Sequence, residues 1–140
     1  MATTIKYSDI IAYLEAIANN ANNDVSQASH GYWWRIDPSG NDPTTPLSYN
    51  NFINRTVHNK PVAIINQADP TQSMFYLLLS TPGGTGGYPE MPRGGFTNSS
   101  GATVYLPDPS CQITLADGST IAGTQILATM LDWLSNGYPQ

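Results

Sequence analysis

The sequence predicts a mainly α fold: a small domain of short helices joined by long loops, with one small β-hairpin inserted. Three observations carry this. Apolar residues recur at helical spacing near both ends of the chain. The stretches between them are rich in Pro, Gly and Asn, which interrupt regular structure. Asp117-Gly118 stands between two short β-branched runs.

Each element follows in order. Ile10, Ile11, Leu14, Ile17 and Ala18 repeat every three to four residues after Ser8, a good N-cap, so a helix is predicted over 8–19. The Asn-rich run 19–24 ends it, and 24–47, with Pro38, Gly40, Pro43 and Pro46, reads as irregular. Ser48 caps a short helix over 49–55 with Phe52 and Ile53 turned inward. Asp69-Pro70 is an N-cap followed by proline, a start signal for a helix carrying residues 73–79. Pro82 and the run Gly83-Gly84-Thr85-Gly86-Gly87 stop it; without a Gly-Lys-Ser/Thr ending the run reads as a flexible linker rather than a phosphate loop. Residues 113–115 and 120–121 form the hairpin. The last helix carries Ile126, Leu127, Met130, Leu131 and Leu134 as one stripe with Trp133 beside it, and Asn136-Gly137 ends it.

The 140 residues suit one domain spanning 1–140, with no repeat and no run apolar enough for a membrane span. Only 11% of residues are charged, and Asn, Ser, Thr, Gly and Pro fill the gap, a bias closer to exported or periplasmic proteins than to metabolic enzymes. Five basic residues against a net charge of −5 give too little cation density for a phosphate backbone, which disfavours nucleic acid. Cys111 stands alone, so neither an intrachain disulfide nor a Cys-rich zinc site is expected. Met1-Ala2-Thr3-Thr4 lacks a basic region followed by an apolar one. The expected compartment is therefore periplasmic or external if a signal was removed, and cytoplasmic otherwise. The esterase elbow, the zinc-protease pair and the dinucleotide fingerprint are missing, and two Glu and eight Asp are scattered, which argues against an enzyme. Asp37, Ser39, Asn41 and Asp42 read as a solvated turn, and His58 as a surface residue.

The order of the remaining features is informative. A first helix leads into Ser26-Gln27-Ala28-Ser29-His30; a middle helix follows; then come Tyr88-Pro89-Glu90-Met91-Pro92-Arg93-Gly94-Gly95 and a closing Trp133-Leu134-Ser135-Asn136-Gly137-Tyr138-Pro139. This order resembles bacterial c-type cytochrome domains. In those domains the first helix leads into Cys-x-x-Cys-His, a Met-Pro loop supplies the distal iron ligand, and the last helix ends in Trp-Leu/Ile-x-x-Gly-x-Pro. The resemblance covers nearly the whole chain and implies a cytochrome-c-like fold, one-electron transfer and a redox partner protein. It also implies His30 as proximal ligand and Met91 as distal ligand. It departs where Ser26 and Ser29 stand in place of the thioether-forming cysteines. Covalent haem is not expected; haem held through His30 and Met91 alone, or none, is. Tyr32, Trp33, Trp34, Tyr49, Phe52 and Trp133 are expected to line an apolar slot. The competing reading is a haem-free binding or structural module that turns Tyr32, Trp33 and Trp34 toward a protein or carbohydrate partner.

Overall fold

A computed structural model describes residues 5–23, 33–36, 45–57 and 61–140. Among these residues the order is α1 (Tyr7–Asn20), α2 (Tyr49–Asn54), a 3-10 turn (Pro70–Gln72), α3 (Met74–Ser80), β1 (Phe96–Thr97), β2 (Thr103–Val104), β3 (Gln112–Thr114), β4 (Thr120–Ala122) and α4 (Gly123–Ser135). The strands form two antiparallel pairs, β1 with β2 and β3 with β4. The fold is thus mixed α and β, and the mainly α expectation is corrected. The expected hairpin is present, with Ile113 opposite Ile121. The β1–β2 hairpin, with Phe96 opposite Val104, was not read from the sequence.

Helix α1 begins one residue earlier than its spacing suggested. The cap is Lys6, not Ser8: the Lys6 backbone N–H donates to Asp9 Oδ2 at 2.9 Å, which satisfies one orphan donor and sets a carboxylate in the first turn. Ile10, Ile11, Leu14 and Ile17 are buried, each stabilising the fold by roughly 1.5–3 kcal/mol. On the helix's side, Glu15 accepts two hydrogen bonds from the Arg35 guanidinium, pinning 33–36 to α1. That segment also pairs with 45–47: Leu47 N–H donates to Trp34 O at 2.8 Å and Ile36 N–H to Thr45 O at 2.9 Å.

Ser48 caps α2 as expected, its Oγ accepting from Asn51 N–H at 3.3 Å. Asp69-Pro70 opens the 3-10 turn rather than α3 itself. The buried Ser73 joins the two: its Oγ accepts from Asn66 N–H and donates to Pro70 O. The glycine run after α3 is a tight turn, not a linker. Thr85 and Tyr88 exchange two 3.0 Å backbone bonds. Gly84, at φ +83, has Tyr88 O where a Cβ would lie, 1.9 Å away.

Helix α4 buries Ile126, Leu127, Met130, Trp133 and Leu134, while Leu131 stays 36% exposed. Successive residues turn by about 100°, which places Leu131 well off the centre of that face and Trp133 within it. The helix ends in a Schellman motif: Tyr138 N–H donates to Trp133 O at 2.8 Å and Gly137 N–H to Leu134 O at 3.3 Å. The tail is then held by Trp133 Nε1–H to Pro139 O and by the Tyr49 hydroxyl to Tyr138 O.

The core is one cluster drawn from every helix and both hairpins. Asn20 locks α1 to β3, its amide donating to Thr114 O and accepting from Thr114 N–H. No helix among the described residues is long and apolar enough to cross a membrane.

Candidate functional site

Met91 follows the tight turn, on the chain leading to β1. Its side chain is half-buried against the core, and its backbone N–H donates to Leu78 O on α3 at 3.1 Å. The Met91–Pro92 peptide bond is cis. Beyond it the loop presents three successive carbonyls, and each meets a donor from the two asparagines just past α1. Arg93 O accepts from Asn23 Nδ2 at 3.0 Å, and Gly94 O from Asn22 Nδ2 at 2.9 Å. Gly95 O accepts from Asn22 N–H at 2.9 Å. Thr97 Oγ1 donates to Asn22 Oδ1 at 2.9 Å, which turns the amide so that its NH2 faces Gly94.

Gly94 makes this stitching work. Its φ of +83 suits glycine, and a Cβ there would lie 2.4 Å from Asn23 Nδ2. Next to the loop, the Tyr105 hydroxyl donates to Glu90 Oε1 at 3.1 Å, and this bond to a carboxylate raises the phenol above its ordinary range.

Of the aromatic residues expected to line a slot, Trp33, Trp34, Tyr49, Phe52 and Trp133 are described, and they pack on other rings of the core. The Trp33 ring lies 5.7 Å from Phe75 and 6.0 Å from Phe52, and Phe52 lies 6.3 Å from Trp133. Trp33 and Trp34 meet edge-on at 5.2 Å, and both are interior, 3% and 4% exposed. Neither is turned toward solvent, so neither is the partner-facing surface of the competing reading. Tyr49 packs edge-on against Tyr7 at the margin of the cluster.

Ser26, Ser29, His30, Tyr32, the turn 37–42 and His58 lie outside the described residues. Of the predicted iron ligands, Met91 is the one described. Its chemistry fits haem iron, being a thioether on a loop anchored to the core. Among the described residues no group of three His, Cys, Asp or Glu is gathered to hold a metal ion. Sequence reasoning missed Asn22 and Asn23, since an Asn-rich run carries a helix-stop signal and nothing in it marks a long-range partner.

No protein-family model, no curated protein and no solved structure matches the chain.

Proposed function

We propose that this chain is a one-electron-transfer module related to c-type cytochromes by motif order, in which haem is held without thioether links, through His30 and Met91. The reading rests on the motifs and not on fold class. One observation supports it: the segment carrying Ser26, Ser29 and His30 is bonded at its near end to the Met91 loop and packed at its far end on α3, the helix that also holds Met91. At the near end, Asn22 and Asn23 bond to Arg93, Gly94 and Gly95. At the far end, Trp33 packs on Phe75, one turn before the Leu78 carbonyl that holds Met91. His30 is three residues from Trp33, a reach of at most about 11 Å of extended chain. Bringing these two distant stretches together is what a paired axial ligand set needs.

The chemistry such a group supplies when bound is a reversible one-electron couple, raised in potential by a thioether ligand. The chain's own part is to present the two ligands. Met91 is held by its backbone bond to Leu78, with its side chain half-buried against the core.

The test is titration of the chain with haemin. A sharp Soret band with a low-spin His/Met signature is expected, and His30→Ala and Met91→Ala should each abolish that signature. A spectrum identical to free haemin overturns the reading.

A second reading, a haem-free structural or binding module, is favoured by the aromatic core itself, whose rings complete one another without a cofactor. The version that displays Trp33 and Trp34 to a partner loses its residues, because both are interior. Cooperative unfolding of the haem-free chain together with no uptake of haemin would favour this module.

A further inference from the structure

We propose that Asn22 and Asn23 are positioning residues for Met91: they hold the loop carrying the thioether against the start of the segment carrying His30. The inference rests on the haem reading for its ligand, but the clamp stands on its own geometry.

Three further bonds tie the Met91 loop among the described residues, the first from the Tyr105 hydroxyl to Glu90 Oε1. Within the loop, Gly95 N–H donates to Pro92 O at 3.1 Å, and Met91 N–H reaches back to α3. The carbonyls of Arg93, Gly94 and Gly95 all turn the other way, to Asn23 Nδ2, Asn22 Nδ2 and Asn22 N–H. Two residues thus bind three consecutive carbonyls some seventy positions further along the chain. Thr97 fixes the amide orientation that this needs. Gly94 removes the Cβ that would keep Asn23 out. A loop carrying an axial ligand must hold its sulfur in place against the entropy of a Pro- and Gly-rich segment, and this clamp supplies the restraint.

Asn→Asp substitutions test it, because they keep shape while turning an NH2 donor into an oxygen that faces a carbonyl. In the haem-free chain, Asn22→Asp and Asn23→Asp should speed amide exchange at Met91 and Gly95 about tenfold, with α4 amides unchanged. In the ferric, haemin-loaded chain, both variants should lose the far-red charge-transfer band of thioether–iron ligation. Asn98→Asp, at an asparagine whose bonds go to its own turn and to Ser110 Oγ rather than to the Met91 loop, should keep it. Unchanged exchange at Met91 and Gly95 overturns the clamp, and faster exchange with an intact band overturns the positioning role. If α4 loses protection too, the substitution has unfolded the chain, and the milder Asn23→Ser decides by the same two readouts. If the unsubstituted chain takes up no haemin, the electron-transfer reading fails, and the clamp is judged by exchange alone.

Discussion

At the scale of single residues, polar side chains decide more than their sequence context suggests. Asn20 and Asn22 each bind backbone across long sequence separations, and Asn98, Asp108 and Asp117 each close a turn through a serine or backbone N–H. Bonds from Ser110 and Ser119 hold the Asp108 and Asp117 carboxyls below their ordinary range, because they favour the charged form. Cys111 is the opposite case. It is fully buried, and burial first, then the Asp108 charge, push its thiol up from 9.0 to about 11. A thiol whose folded pKa lies above its unfolded value adds stability that is intact below about pH 9 and lost as pH rises toward about 11. Denaturant midpoints of the unsubstituted chain should therefore fall across that window by more than those of Cys111→Ala. Equal falls would show that the thiol stays solvated. The sequence identified Cys111 as outside any intrachain disulfide, since it is the one cysteine of the chain; its depth in the core came only from the fold.

At the scale of elements, local signals read well where they act locally. Ser48, the Asp117-Gly118 turn and the Asn136-Gly137 stop all perform the roles their chemistry predicts. Errors arose where a neighbour intervened. Trp133 joined the buried face of α4 and Leu131 left it, because the stripe is centred by the surface it packs against. Hairpin β1–β2 escaped notice because two-residue strands leave no alternation to read. The start of α4 gives a sharp test of packing against propensity. At Gly123 a Cβ would lie 2.5 Å from Leu106 O and 2.9 Å from Leu106 Cα, both backbone atoms that cannot swing aside. Gly→Ala in a helix favours folding by up to about 1 kcal/mol, whereas overpacking costs about 1–3 kcal/mol. Gly123→Ala should therefore destabilise the chain, seen as a lower denaturation midpoint; a rise would mean that β4 and α4 shift freely away from Leu106.

At the scale of the whole molecule, the aromatic cluster is the joint. Phe52 is fully buried and stands in ring contact with Tyr7, Trp33, Phe75 and Trp133, so one ring links α1, α2, α3, α4 and the segment 33–36. Phe52→Ala should cost about 3–5 kcal/mol, a large share of the 5–15 kcal/mol that typically holds a domain. The expected reading is a markedly lower urea midpoint at unchanged slope; a loss under about 1 kcal/mol would show that the rings do not act as one core. The sequence alone determined where the helices and one hairpin lie, with the Ser48 cap and the Asn136-Gly137 stop, because each depends on residues a few positions apart. Tertiary structure alone decided that Trp33, Trp34, Phe52 and Trp133 fill the core, and that Asn22 and Asn23, just past α1, grip the loop bearing Met91. Those outcomes depend on contacts between residues tens of positions apart, whose geometry no local periodicity or turn chemistry encodes.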